Sequence, residues 1–200
     1  MKNITDATRK HGGLVAANEI TTGMGRTGKW FGFQHTGIKP DMVAIGKGLG
    51  NGYPVSAAAF SSEVSEKLDR TDFHSSQSHQ NDPLGAAIAH EVISVIRENG
   101  LLERGTNTGS YMIEEFSRMK EKYTLIKEVR GRGMMMAVEL KPGIETKIPS
   151  RIHSALMKRR YITVLRPGLS VFRIDPCLTI PREEVAGFIT AFEEIISDAD

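Results

Sequence analysis

The apolar tetrad Met42-Val43-Ala44-Ile45 runs directly into Gly46-Lys47-Gly48-Leu49-Gly50-Asn51-Gly52, where glycine occupies every second position. The tetrad reads as the end of a buried strand. Glycine lets the backbone turn sharply and come close to a bound group. Lys47 is the single cation in that turn. A lysine held where a strand ends, partly desolvated, can lose its proton and attack an aldehyde. The plainer alternative is a hydrated loop lysine. A phosphate loop is a poor match, because no Ser or Thr follows Lys47 and the earlier spaced glycine is missing.

Around this turn the chain punctuates itself clearly. Residues 3–11 read as the tail of a helix stopped by Gly12-Gly13, and Leu14 to Ala17 as a short buried strand. Residues 21–32 form a glycine-rich loop, and Pro54 to Phe60 a third strand. Ser61 or Ser62 caps a short helix carrying Val64 and Leu68. Thr71 to Asp82 fits no periodicity. Pro83 then opens a strong helix whose stripe is Leu84, Ile88, Val92, Val95 and Ile96, ended by Asn99-Gly100. A second helix covers about 101–121, followed by strands at Leu125 to Val129 and Met134 to Leu140. Arg130-Gly131-Arg132-Gly133 reads as a tight turn between them, and Met134, Met135 and Met136 as core filler. Ile148 to Arg160 is helical. Tyr161 to Leu165 and Val171 to Ile174 are strands joined through Arg166-Pro167-Gly168. A last helix opens at Pro181 and turns Val185, Phe188, Ile189, Phe192 and Ile196 inward. The first part is not a complete doubly wound unit, whereas the second alternates helices and strands as a compact α+β domain does.

Bulk properties exclude several classes. With 26 basic and 24 acidic residues the net charge is +2, so nothing points to nucleic acid or an anionic membrane surface. No apolar run is long enough to span a bilayer. Cys177 is the only cysteine, which rules out an intrachain disulfide, and a reducing cytoplasm is the simplest setting. Met1-Lys2-Asn3-Ile4-Thr5 lacks the apolar core of a secretory signal. The six histidines form no metal set. Gly105-Thr106-Asn107-Thr108-Gly109-Ser110 imitates a phosphate-gripping turn but sits inside a helical stretch.

Asn18-Glu19-Ile20-Thr21-Thr22-Gly23-Met24-Gly25-Arg26-Thr27-Gly28-Lys29-Trp30, together with Lys39-Pro40-Asp41-Met42-Val43-Ala44-Ile45-Gly46-Lys47-Gly48, resembles the class III or ω-aminotransferases, enzymes of fold type I that use pyridoxal 5'-phosphate (PLP). The resemblance runs from about Thr8 to the C-terminus and covers only the second half of such an enzyme. It implies an α/β fold: part of a PLP-binding large domain (mixed, mostly parallel sheet with helices) over residues 1–100, a connecting helix over 101–122, and a small α+β C-terminal domain over 123–200. It implies that Lys47 forms an imine with PLP. Asn18 stands where the family usually has an Asp that pairs with the pyridine nitrogen and keeps it protonated. Asn can accept a bond from that N–H but brings no charge, so the cofactor is a weaker electron sink here. Thr21 stands where a Gln commonly contacts the ring hydroxyl. Counting back from Pro83, Ser78 takes the place of a Thr that reaches the partner subunit's PLP phosphate in a homodimer. Arg173 matches an arginine that binds the substrate carboxylate in many relatives; a structural ion pair with a local acid is the alternative.

The activity so implied is transfer of an amino group between an amine or amino acid and a 2-oxo acid. The same scaffold could instead serve racemisation, decarboxylation or aminomutation, and a non-catalytic, truncated dimerising domain is the third reading. Met1 need not be a native start. The family's phosphate-gripping turn and ring-stacking aromatic fall in the missing half, so the 200-residue chain alone is expected to bind PLP weakly and turn over little or not at all.

Overall fold

The computed structural model describes residues 1–145, 147–165 and 168–200. It divides into two compact units, Met1–Leu102 and Glu103–Asp200.

The first unit is built on a three-stranded sheet. α1 (Lys2–Lys10) precedes β1 (Ala16–Asn18), β2 (Met42–Ile45) and β3 (Ala57–Phe60), and α2 (Ser62–Asp69) and α3 (Pro83–Glu98) follow. The sheet order is β1-β2-β3. β1 runs parallel to β2, with Asn18 opposite Ala44, and β3 is antiparallel to β2. The strand expected at Leu14–Ala17 starts two residues later and is not buried: Ala16 and Asn18 are exposed and Ala17 is half-buried. β3 is exposed along its whole length, Phe60 included. Apolar patterning marks these strands correctly, but their faces lack the cover that burial would need.

Local signals hold well in this unit. Ser61 caps α2, its Oγ accepting from Val64 N–H at 3.4 Å. Asp82 caps α3 with bonds from the Leu84 and Gly85 amides at 3.1 and 3.3 Å, and Pro83 takes the first turn. The buried face of α3 runs through Gly85 and Ile96 rather than the expected stripe as a whole, since Leu84 and Val95 are exposed. Residues 71–82 contain turns but no helix or strand.

The second unit carries the main hydrophobic core. α4 (Leu101–Lys122) belongs to it from Glu103 onward, and β4 (Ile126–Arg132), β5 (Met135–Leu140), α5 (Lys147–Lys158), β6 (Val164–Leu165), β7 (Val171–Ile174) and α6 (Arg182–Ser197) follow. The sheet is antiparallel throughout, in the order β4-β5-β7-β6. Period-two alternation turns Met136, Val138 and Leu140 of β5, and Phe172 and Ile174 of β7, into the core. Phe116 of α4 and Phe172 meet Phe192 of α6 edge-to-face, at centroid distances of 5.2 and 5.7 Å. All five residues expected on the inner face of the last helix are buried there.

One sequence reading changes here. Arg130-Gly131-Arg132 is not a turn: it extends β4 and pairs with Ala137, Met136 and Met135, so the reversal is confined to Gly133-Met134. The glycines of the imitation phosphate turn lie on α4 and serve packing. A Cβ on Gly109 would stand 2.1 Å from the Gly133 carbonyl oxygen, so only glycine lets α4 come this close to the β4–β5 reversal. Of the Arg166-Pro167-Gly168 connection, Arg166 and Pro167 lie outside the described residues.

Candidate functional site

Lys47 begins a 3-10 turn, Lys47–Leu49, directly beyond β2 and Gly46. Its φ of +44° is left-handed, a conformation that costs a non-glycine residue about 1–3 kcal/mol and persists only where the surroundings impose it. They do so through a chain of short backbone bonds: Leu49 N–H to Gly46 O at 3.0 Å, Gly50 N–H to Lys47 O at 3.1 Å, and Tyr53 N–H to Gly50 O at 2.9 Å. Gly50 is required by this coil, because a Cβ there would sit 2.0 Å from the Tyr53 carbonyl oxygen. The alternating glycines therefore shape the turn itself as much as any approach to a ligand.

The Lys47 side chain is exposed, and its Nζ donates to Thr21 Oγ1 at 2.8 Å. The described residues thus give the amine a hydroxyl partner, not the desolvation that the sequence reading invoked. Asn18 closes β1 on the neighbouring parallel strand, level with Ala44, three residues ahead of Lys47. Its Oδ1 accepts from Ile20 N–H at 3.2 Å. Asn18, Thr21 and Lys47 are therefore brought together at the carboxyl ends of two parallel strands, the place where open α/β sheets bind ligands.

Glu19 was not singled out from sequence as anything more than part of a family motif, yet it organises this corner. It is 3% exposed. Its carboxylate accepts from the Gly32 amide at 2.8 Å, the Phe33 amide at 2.7 Å and the Thr22 hydroxyl, while its own amide continues the ladder to Ala44 O at 2.9 Å. One buried carboxylate thereby folds residues 19–33 back onto the end of β1. A charged residue directly after an apolar run and before a glycine-rich loop was the available signal.

Tyr53 and Asp82 were also missed. Tyr53 Oη donates to Asp82 Oδ2 at 2.7 Å and ties the Lys47 turn to the start of α3. Gly85 makes room for this contact, since a Cβ there would lie 3.3 Å from Asp82 Oδ2 and 3.5 Å from the Tyr53 ring. The bond from Tyr53, with help from the Leu84 and Gly85 amides, holds the Asp82 carboxyl below the usual carboxylate range, and Asp82 raises the Tyr53 phenol.

Ser78 lies exposed in a turn closed by Gln80 N–H to Gln77 O at 3.1 Å. Arg173 belongs to the second unit. Its Nε faces Asp175 Oδ2 as an ion pair, without hydrogen-bonding alignment, and the side chain remains 38% exposed. Among the described residues no three His, Cys, Asp or Glu side chains group as a metal site, and no helix is long and apolar enough to cross a membrane.

Comparison with known proteins addresses this arrangement. The profile of the family "Aminotransferase class-III" matches residues 1–196. The chain belongs to the class-III aminotransferase family. A leucine/methionine racemase from Thermococcus litoralis is 37% identical over 100% of this chain and 45% of its own length. A mitochondrial alanine–glyoxylate aminotransferase 2 homologue from Arabidopsis thaliana is 32% identical over 96% of this chain and 41% of its own. Among solved structures, an (S)-enantioselective omega-transaminase from Thermomicrobium roseum superposes with a TM-score of 0.90 at 30% identity, covering 98% of this chain and 46% of that one. The chain thus spans less than half the length of these relatives. Class III aminotransferases depend on PLP. The residues at the first unit's strand ends fit that group in one respect: an accessible primary amine stands beside a hydroxyl, and a polar amide ends the neighbouring strand, donors and acceptors of the kind a substituted pyridine aldehyde needs.

Proposed function

We propose that this chain is the Lys47-bearing part of a PLP-dependent transaminase acting on an amine or amino acid and a 2-oxo acid. The observation that carries the reading is the Lys47 amine itself: exposed, held on a left-handed turn beyond a parallel strand, and anchored to Thr21. PLP, when bound, supplies an aldehyde for covalent attachment and an electron-withdrawing ring. Lys47 is the attachment point. With PLP bound, the free Lys47 amine would be the group to take the proton from the reacting substrate carbon, and Thr21 Oγ1 gives it a resting partner. Asn18 addresses the ring nitrogen and Thr21 the ring edge. Ser78 serves the phosphate of a partner subunit in a homodimer, and Arg173 the substrate carboxylate, where Asp175 competes for it. The setting is cytoplasmic. The described residues include an exposed Lys47 and uncovered strands, which supports weak cofactor retention and little turnover by the 200-residue chain.

The test is borohydride reduction of the chain after incubation with PLP, followed by peptide mapping. The pyridoxyl label is expected on Lys47 well above every other lysine. Equal labelling of surface lysines would defeat the reading. Racemisation is the second reading, favoured by Asn18 and by the similarity to the Thermococcus litoralis racemase. Keto-acid formation against inversion, measured on one amino-acid panel with the whole protein, separates the two.

A further inference from the structure

The second unit holds a cavity of about 350 Å³ beside the end of β7. Its floor is apolar: Met112 of α4, Ile174 of β7, and Val185 and Phe188 of α6. One corner is polar, and its hydrogen bonding is incomplete. Thr163 and Asp175 line it, and Thr163 Oγ1 and Asp175 Oδ1 are both buried without a hydrogen-bond partner among the described residues. Thr163 as a whole is only 7% exposed. Its backbone carbonyl accepts from His153 Nε2 at 3.0 Å, so the residue is fixed in place while its hydroxyl is left over. The antiparallel register gathers the two residues: Thr163 precedes the Val164–Arg173 pair by one position and Asp175 follows it by two. Asp175 Oδ2 is taken by Arg173. Arg173 itself belongs to the other face of the strand, because period-two alternation turns Phe172 and Ile174 to the core.

A buried polar atom without a partner lowers stability, and native structures hold few of them. Two on the wall of one cavity call for a donor. An ionised carboxylate oxygen only accepts, and a hydroxyl can accept too, so one head group with several N–H bonds completes both. Water completes the corner but not the cavity. Each water takes about 30 Å³ of liquid volume and needs two to four polar partners, so the apolar floor leaves most of the space to poorly held waters. Replacing those by an alkyl group is favourable. The carboxylate favours a charged donor, since a charge-assisted bond is roughly twice as strong as a neutral one. Among the charged residues lining the cavity, Asp175 and Glu184 outnumber Arg160. We propose that this cavity binds an aliphatic primary ammonium ion. Its head donates to Asp175 Oδ1 and Thr163 Oγ1, and its alkyl chain lies on Met112, Ile174 and Phe188. The site has the size and make-up of small-molecule pockets, about 300–1,000 Å³ and mostly apolar with a few placed polar groups. It lies wholly in the second unit and does not depend on the role of Lys47.

The probe is 3-methylbutylammonium chloride, titrated at neutral pH into the 200-residue chain and followed by NMR of labelled methyl groups. Saturable shifts are expected at the methyls of Met112, Ile174 and Val185, and none at Ile4 or Ile20 of the first unit. The alcohol 3-methylbutan-1-ol has the same chain and a neutral head, and is expected to bind about tenfold more weakly. Thr163→Val keeps the side chain's shape, removes the leftover hydroxyl and should weaken ammonium binding about fivefold. Asp175→Asn should weaken it by about 10–100-fold. If that variant fails to fold because Arg173 loses its partner, Thr163→Val and the alcohol decide the matter. A cavity that holds only water, seen as no saturable shift at these methyls, overturns the proposal. So does alcohol binding as tight as that of the ammonium ion, or an ammonium affinity unchanged in Thr163→Val. None of these results bears on the pyridoxyl label at Lys47, so the two readings fail separately.

Discussion

Two glycines four residues apart on α4 should respond to the same substitution with opposite signs. Gly105 and Gly109 both face the interior of the second unit, and in an isolated helix either Gly→Ala change would stabilise by about 1 kcal/mol. At Gly105 the new methyl would meet the Met134 Cγ at 3.3 Å and the Leu178 Cδ2 at 3.5 Å, both atoms of adaptable side chains. The propensity gain should survive there. At Gly109 it would lie 2.1 Å from the Gly133 oxygen, 2.5 Å from its carbonyl carbon and 2.8 Å from its Cα. All three are backbone atoms, and Gly133 is itself held at a φ of +55°. Relief requires moving the helix by about 1 Å, and a gap of that size forfeits about a quarter to a half of each dispersion contact it opens. Met112 and Phe116, on the same helix and almost fully buried, would lose theirs. Overpacking costs of about 3 kcal/mol are then reasonable, leaving Gly109→Ala destabilised by about 2 kcal/mol after the propensity gain. The separation between the two variants is about 3 kcal/mol, or roughly two powers of ten in the unfolding constant. Urea unfolding followed by hydrogen exchange of the β4–β5 amides isolates this unit, while fluorescence of Trp30, the only tryptophan, serves as a control in the first. If Gly109→Ala proves as stable as Gly105→Ala, the close approach of helix and hairpin is not what selects glycine.

Three further outcomes are expected. Glu19→Gln replaces a buried acceptor of three bonds with a group that has only one oxygen; a loss of about 1.5–3 kcal/mol in the first unit should appear as lost amide protection at Gly32 and Phe33. The Tyr53–Asp82 bond should make the stability of that unit pH-dependent at both ends. Because the folded Asp82 pKa is lowered, its contribution is present above about pH 4 and fades as pH falls through the folded value. Because the folded Tyr53 pKa is raised, its contribution is complete below about pH 10 and fades as pH climbs through the folded value. Tyr53→Phe should flatten both limbs when unfolding is followed by Trp30 fluorescence, and unchanged limbs would show that the bond does not matter. Thr21→Val should leave the fold intact but remove the hydroxyl partner of Lys47, changing the extent of borohydride labelling at Lys47 alone; identical labelling would remove Thr21 from the site.

The order of the elements could be read from residues, because their signals are local. The apolar run of β2 ends at Gly46, Ser61 caps α2, Pro83 opens α3, and the period of α6 names its buried face unaided. Lys47 could be singled out as a candidate too, since its glycine setting and the motif around it lie in one stretch of chain. Three things depended on contacts between residues distant in sequence. Glu19 matters through amides thirteen and fourteen residues away, and Tyr53 through a carboxylate twenty-nine residues on. The Gly109 requirement comes from a carbonyl on another element. Propensity and periodicity belong to neighbours along the chain, whereas hydrogen-bond direction and steric exclusion exist only once the chain has been brought back against itself.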